Sequence, residues 1–168
     1  MKTKYIQKLV FSAMLASLVF TATWISIPNG LGGNINLGDS MLLLGAWMLG
    51  GPWSAVACAL GAMLTDLLGG YAVYAPATFV IKALMVGAVL VIERLLRRMP
   101  VMPRACLSGV CAECVMVLGY FVYETCIFSL PVAAMGIPFN LIQGGASILV
   151  ATLLRVLLIK ARLDQLMK

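Results

Sequence analysis

A few ionisable side chains interrupt long apolar runs in this sequence, and they are its first candidates for chemistry. Asp66 and Lys82 flank the segment 69–76, GGYAVYAP, near the ends of two consecutive predicted helices. An ion pair between them would reduce the free-energy cost of placing each charge among apolar residues and would tie the two helices together. We predict such a pair, either as a structural contact alone or as one that also borders a ligand.

Polar residues at helical spacing form a stripe further along the chain. Glu113, Tyr120 and Glu124 are seven and four residues apart, so all three lie on one face of a helix. Both carboxylates therefore share a face. We expect Glu124 near one end of the bundle and Glu113 deeper inside it.

The next predicted helix carries a second stripe. Asn140, Gln143 and Ser147 follow the same spacing behind Pro138. Amides and hydroxyls can also join helices by hydrogen bonds of about 0.6 to 2 kcal/mol each. We predict packing for Ser147, and ligand contact for Asn140 and Gln143.

These side chains offer acceptors, amides and aromatic rings at one end of a small bundle, the chemistry of a pocket for a compact polar heterocycle. The predicted substrate-binding residues are Glu124, Asn140, Gln143, Tyr120, Tyr74, Lys82, Asp66, Asn36 and Asp39, the last two as the alternative if the others fail. The sequence has no histidine, no nucleophile beside a base and no phosphate-binding loop. We therefore expect no enzyme activity, no catalytic residue, no metal site and no cofactor.

The composition predicts where these residues lie. Of the 168 residues, 62% are hydrophobic and only 11% are charged, with a mean hydropathy of +1.04, whereas soluble domains have about 25% charged residues. We predict an all-α integral membrane protein with one domain, residues 1–168. The apolar run that begins at Leu9 is longer than the core of a signal peptide, so we interpret it as a permanent helix.

Glycine and proline mark the ends of six predicted helices. The helices are expected at residues 5–27, 38–50, 52–68, 76–96, 105–129 and 137–162. The second helix has about 13 residues and a length of roughly 20 Å, too short to cross a bilayer alone. We expect either that the preceding segment enters the outer leaflet or that neighbouring helices shield this one, beside a cavity open to the outside.

Basic residues predict the orientation, because short cytoplasmic loops carry an excess of Lys and Arg. Six spans with both termini in the cytoplasm put every loop Lys and Arg inside, namely Lys2, Lys4, Lys8, Arg94, Arg97, Arg98, Arg104, Lys160, Arg162 and Lys168. This arrangement also accounts for the net charge of +6. The lipid bilayer, with its anionic headgroups, is therefore the expected neighbour rather than nucleic acid.

Three runs carry a resemblance to a known family. GGNINLGDSMLLLGAWMLGGPWSA, LTDLLGGYAVYAPATFVIKAL and the pair GYFVYE and IPFNLIQG resemble the substrate-binding (S) components of energy-coupling factor (ECF) transporters, within about residues 9–155. The similarity is to the small vitamin branch, of the riboflavin or hydroxymethylpyrimidine type.

The resemblance implies a six-helix, high-affinity binding subunit in a bacterial cell membrane. Its partners would be a transmembrane scaffold subunit and two cytoplasmic ATPases that drive uptake. The connections 29–36, 69–76 and 130–138 would act as lids over the ligand, and Lys82 would anchor the helix beneath the second lid. Small residues of the first helix would dock on the scaffold, namely Ser12, Ala13, Ala16 and Ser17.

The ligand is predicted only by class. Carboxylates in the pocket suit a neutral or cationic ring with amino or hydroxymethyl groups, such as hydroxymethylpyrimidine, a pyridoxine-type ring or a deazaguanine precursor of queuosine, and the family also includes flavin binders. A stand-alone secondary transporter with Asp66, Glu113 and Glu124 as proton carriers is the second hypothesis. A membrane scaffold without transport activity is the third.

Overall fold

The computed structural model describes residues 2–28 and 34–161, with side chains from Tyr5 onward. It contains six helices in these ranges: α1 Lys2–Trp24, α2 Gly38–Met48, α3 Gly51–Leu68, α4 Ala75–Leu95, α5 Val101–Ile127 and α6 Leu130–Lys160. The two short strands β1 Ser26–Pro28 and β2 Asn34–Asn36 pair antiparallel, with Ile27 opposite Ile35. Residues 29–33 of the first predicted lid, the side chains of Lys2 and Lys4, and Arg162 and Lys168 lie outside the described residues.

Five of these helices are long and apolar enough to cross a membrane, and α2 is the exception. The prediction of a helical membrane bundle is confirmed, with the small hairpin β1–β2 as an addition to the all-α architecture. Helix α2 has 11 residues and a length of about 16 Å. The described helices therefore give five candidate spans, where six were predicted.

Helix α2 is shielded by its neighbours. Seven of its residues are buried, and Leu42 and Leu43 are 0% exposed. A Cβ added at Gly45 would lie 2.4 Å from Leu15 Cδ1, so α1 approaches α2 closely. Of the two arrangements expected for a short second helix, the described residues show the shielded one, with α2 inside the core rather than against lipid.

Helices α1 and α3 also pack closely, and this contact divides the predicted docking residues. A Cβ added at Gly61 would lie 2.4 Å from the carbonyl oxygen of Ala16. Ser12 is buried on the same side of α1, whereas Ala13 and Ser17 are exposed. Because residues four apart share a helix face, Ala13 and Ser17 are the two of the four predicted docking residues that form an exposed small-residue surface.

The predicted loop at 130–138 is wrong, because α6 begins at Leu130 and runs through Pro138. Pro131 lies in the first turn, where the missing N–H has no intrahelical partner in any case. Pro138 removes one backbone donor but leaves the helix continuous. The connection between α5 and α6 is therefore only Phe128 and Ser129.

Helix α5 also begins earlier than predicted, at Val101 rather than at 105. Pro103 had indicated a break, yet it lies in the first turn of the helix. The first four N–H groups of a helix have no intrahelical acceptor, so proline is tolerated there. The α4–α5 connection is correspondingly short, residues 96–100.

Candidate functional site

A cavity of about 270 Å³ lies at one end of the bundle, where α1 and α3 end, α4 begins, α5 ends and α6 begins. Eight of the nine predicted substrate-binding residues line it, and the ninth, Asp39, lies behind its wall. The lining residues named in the prediction are Asn36, Asp66, Tyr74, Lys82, Tyr120, Glu124, Asn140 and Gln143. Residues that belong to four predicted helices and two connections therefore meet at a single cavity.

The predicted Asp66–Lys82 ion pair is wrong. Lys82 Nζ lies 2.5 Å from Asp39 Oδ1, and the two side chains are 7% and 1% exposed. The prediction compared only the depths of Asp66 in α3 and Lys82 in α4. In the structure, α2 lies in the core and its first turn faces α4. Because Asp39 is in that turn, it reaches the lysine that was assigned to Asp66.

Asp39 also forms a hydrogen bond with α6, which forms part of the cavity wall. Gln143 Nε2 donates to Asp39 Oδ2 at 2.8 Å, and Gln143 Oε1 accepts from the backbone N–H of Asn36 at 3.0 Å. The buried Asp39 carboxylate therefore contacts a lysine of α4 and the side-chain amide of Gln143 in α6. The same amide accepts a hydrogen bond from the backbone of β2. These contacts fix the orientation of three cavity-lining residues, Lys82, Gln143 and Asn36.

Asp66 borders the cavity without a basic partner. Its Oδ2 atom is buried and has no hydrogen-bond partner among the described residues. A buried carboxylate oxygen without a donor is costly, by about 1–3 kcal/mol or more. A ligand with an N–H or O–H group beside this oxygen would supply the missing donor.

Glu124 and Tyr74 form another part of the wall. The Tyr74 hydroxyl donates to Glu124 Oε1 at 3.3 Å. Burial, and then the charge of Glu124, raise the pKa of Tyr74 to about 12. Tyr74 lies just before α4, in the connection 69–74, and it remains a protonated donor over the whole physiological pH range.

Aromatic rings surround this hydrogen bond. The ring centroids of Tyr123, Phe128 and Tyr120 lie 5.7, 6.0 and 6.5 Å from that of Tyr74. The Tyr123 hydroxyl donates to the carbonyl of Val73 and so attaches the connection 69–74 to α5. The rings provide flat apolar surfaces beside the carboxylate.

Tyr120 joins the aromatic wall to the ion pair. Its hydroxyl shares a hydrogen bond with the Thr78 hydroxyl at 3.0 Å, and Lys82 Nζ lies 5.5 Å from its ring centroid. That distance is within the range of a cation–π contact. Lys82 is thus neutralised by Asp39 and also covered by an aromatic face.

Comparison with known families and structures identifies the fold. The family model for the ECF-type riboflavin transporter, S component, matches residues 3–160. This chain belongs to that family. The resemblance predicted from the three sequence runs is thereby confirmed, and the S component is a multi-pass, membrane-embedded, substrate-binding subunit of a transporter rather than a member of an enzyme class.

A solved structure of the S component of a bacterial ECF transporter has the same fold. It superposes with a TM-score of 0.76 at 21% sequence identity, over 93% of this chain and 97% of that chain. At this identity the likeness shows the fold alone. A search of curated protein sequences found no match.

Ten lining residues of this S component were not among the predicted substrate-binding residues, although four of them, Asn34, Gly69, Tyr71 and Gly136, lie within the predicted lids. The ten residues are Thr23, Trp24, Ser26, Asn34, Ala62, Thr65, Gly69, Tyr71, Thr78 and Gly136. Thr78 had a usable signal, because it lies four residues from both Tyr74 and Lys82. Gly136 lies in the predicted third lid, 130–138, and a Cβ there would lie 3.0 Å from Glu124 Oε2, so a side chain would crowd the carboxylate.

Glu113 and Ser147 lie outside the cavity, deeper in the bundle. Glu113 is 5% exposed, and neither of its carboxylate oxygens has a hydrogen-bond partner in the described part of the chain. Ser147 is 0% exposed and its hydroxyl is also unpaired there. The predicted depth of Glu113 is confirmed. Ser147 packs in the core, without the hydrogen bond that would join two helices.

The arrangement is suited to binding. Within residues 2–28 and 34–161, no group of three or more His, Cys, Asp or Glu side chains is placed to hold a metal ion. The cavity instead combines carboxylates, amides, hydroxyls and aromatic rings. These groups can orient a polar ring by hydrogen bonds and stacking, with specificity set by the positions of a few polar atoms.

Proposed function

We propose that this S component captures a compact, donor-rich heterocycle, neutral or cationic, from outside the cell for ATP-driven uptake. The observation that carries the proposal is the charge balance of the cavity. Asp66 and Glu124 line it without a basic partner, while Lys82, the one basic residue among its described lining, is paired with Asp39. The unbalanced negative charge favours a ligand that donates hydrogen bonds or carries a positive charge.

The size of the cavity supports a small ligand. Its volume of about 270 Å³ lies just below the usual 300–1,000 Å³ of small-molecule pockets. A hydroxymethylpyrimidine, a pyridoxine-type ring or a deazaguanine precursor of queuosine matches both the size and the acceptor-rich wall. Riboflavin, the vitamin in the family name, is the larger candidate and the alternative for the same site.

Each predicted contact has a distinct role in this proposal. Glu124 and Asp66 accept from ligand donors, and Asn140 bonds the ring edge. Tyr74 and Tyr120 pack against its faces. Asp39 acts through the two residues that it holds: it presents Gln143 and Lys82 to the cavity and does not touch the ligand itself.

We further propose six spans with both termini in the cytoplasm of a bacterial cell. Support comes from the distribution of described basic residues. Apart from Lys82, which lines the cavity, they lie at the end of the bundle away from it, and they are Lys8, Arg94, Arg97, Arg98, Arg104, Arg155 and Lys160. The positive-inside rule then supports a cavity on the outer side.

Family membership supports the proposed partners, a transmembrane scaffold subunit and two cytoplasmic ATPases. The exposed pair Ala13 and Ser17 of α1 offers a surface on which a partner helix can approach closely. The family assignment gives no support to a stand-alone proton-coupled transporter.

The decisive experiment is ligand identification followed by uptake. Mass spectrometry of compounds that copurify with the detergent-solubilised chain identifies the ligand, and calorimetric titration confirms one site. Uptake is then measured with and without the scaffold and ATPase subunits. Uptake without them would overturn the proposal in favour of the secondary transporter, and the absence of any bound small molecule would favour the membrane scaffold.

A further inference from the structure

A second cleft lies at the opposite end of α1 from the ligand cavity. It has a volume of about 220 Å³ and is formed by Lys8 and Ser12 of α1 together with residues 49–53, the turn from α2 into α3. Thr23, at the ligand cavity, is eleven residues from Ser12, or about 16 Å along the helix. The two sites are therefore separate, and binding at this cleft does not depend on which ligand occupies the cavity.

Ser12 lines this cleft and carries an unused hydrogen-bonding group. It is 8% exposed, and its hydroxyl has no partner among the residues that the structure describes. Other hydroxyls of α1 donate to the carbonyl four residues earlier: Ser17 at 3.0 Å, Thr21 at 2.9 Å and Thr23 at 2.7 Å. Ser12 does not, although the Lys8 carbonyl lies at the same spacing. A buried hydroxyl without a partner points to an acceptor supplied by a ligand.

The start of α3 adds backbone donors, except at Pro52, which has no N–H. The residue before the helix is Gly50, and no side chain caps the helix start. The first N–H groups of a helix have no intrahelical acceptor, and they form the positive end of its dipole. Gly50 and Gly51 have φ angles of 59° and 71°, which glycine adopts without strain and which leave this helix end open.

The charge of the cleft has one sign. Lys8 is its one charged residue among the described lining. An ammonium group, a hydroxyl and a helix N-terminus together form a binding site for an anionic oxygen group. The oxygens of a phosphate can accept from each of these three kinds of donor.

The surroundings of the cleft are those of a membrane interface. Tyr5 and Trp53 meet edge to face with ring centroids 5.6 Å apart, and aromatic rings of this kind lie at the headgroup level of bilayers. Leu9 is 51% exposed, and Val56 and Leu60 of α3 are 49% and 38% exposed. These apolar side chains continue from the cleft along α1 and α3, where acyl chains would lie.

We infer that this cleft binds the phosphate of a membrane phospholipid, with its acyl chains along the exposed faces of α1 and α3. Lys8 neutralises the phosphate charge, the Ser12 hydroxyl donates to one oxygen, and the first turn of α3 donates to another. The lipid headgroup fills the cleft between α1 and residues 49–53.

The test uses full-length, delipidated protein and native mass spectrometry. It is titrated with dihexanoylphosphatidylglycerol, with dihexanoylglycerol, which lacks the phosphate, and with inorganic phosphate. We expect the phospholipid to bind and the other two to bind at least about tenfold more weakly. Ser12→Ala and Lys8→Gln should each weaken phospholipid binding by about tenfold, because a hydrogen bond to a charged group is lost in the first and an ion pair in the second.

Two variants are matched controls. Thr21→Val removes a hydroxyl that is already bonded within α1, and Lys160→Gln removes a basic charge elsewhere on the chain; both should bind as the unmodified protein does. Equal binding of dihexanoylglycerol would overturn the phosphate assignment, and equal binding of inorganic phosphate would overturn the lipid assignment. Unchanged binding in both Ser12→Ala and Lys8→Gln would show that the lipid binds elsewhere. If Ser12→Ala fails to fold, Lys8→Gln at the exposed rim decides alone.

Discussion

Replacing Asp39 by Asn removes the carboxylate that pairs with Lys82 while keeping the size of the side chain. The pair is buried, with side chains 1% and 7% exposed and a separation of 2.5 Å. Removing one partner of a buried ion pair destabilises a protein by about 3–5 kcal/mol, because the other charge remains buried without compensation. The Asn amide oxygen can still accept from Gln143, so the loss is assigned to the ion pair. We expect the free energy of unfolding to fall by about 3 kcal/mol or more.

A double-mutant cycle isolates the interaction. Lys82→Met, Asp39→Asn and the double variant are unfolded in detergent by denaturant and by heat, with circular dichroism as the readout. The double variant has no unpaired charge at this position. We therefore expect it to be more stable than the sum of the single effects predicts, by at least about 1.4 kcal/mol, or tenfold in the unfolding equilibrium constant.

Asp66→Asn is the matched control, because it makes the same chemical change in a residue that has no basic partner. Its cycle with Lys82→Met should give a much smaller coupling energy. The assignment would be refuted if Asp39 and Lys82 showed no coupling. A larger coupling of Lys82 to Asp66 than to Asp39 would restore the pair predicted from the sequence.

Further outcomes are expected for the ligand site and the topology. Glu124→Gln should weaken binding of the identified ligand by about tenfold or more in calorimetric titration, since losing a charged partner costs about 1.4 kcal/mol or more, whereas Ser147→Ala, outside the cavity, should leave affinity nearly unchanged. Gly136→Ala should also weaken binding, because its Cβ would crowd Glu124; wild-type affinity in this variant would argue against that position of the carboxylate. Because the pKa of Tyr74 is raised to about 12, its stabilising contribution is complete below its ordinary pKa near 10 and is lost as pH rises from about 10 to 12. Tyr74→Phe should flatten stability against pH in that window, and an unchanged profile would remove Tyr74 as its source. A single reporter cysteine placed within 97–100 should be labelled only from the cytoplasmic side, and labelling of intact cells from outside would contradict the proposed orientation.

The polar stripes on α5 and α6 show how much of the site can be predicted from the sequence alone. Tyr120 and Glu124, and likewise Asn140 and Gln143, are neighbours on their helices through the 3.6-residue period, and the structure places all four at the cavity. The helix ends were harder to predict. Pro138 indicated a loop, yet packing keeps α6 continuous from Leu130, because neighbouring helices supply more stabilisation than one missing backbone hydrogen bond removes.

The amino-acid sequence is enough to predict the class of this protein and the approximate positions of its helices. Its apolar runs require helices in a membrane, glycines separate α2 from α3 and α3 from α4, and three runs carry the family resemblance. The partner of Lys82, by contrast, could be found only from the packing of the helices. Asp39 and Lys82 are 43 residues apart, and no local period relates them; they meet because the short α2 is packed in the core and offers its first turn to α4. Periodicity describes one helix at a time, whereas an ion pair depends on which helices are adjacent, and that is set by packing among all of them.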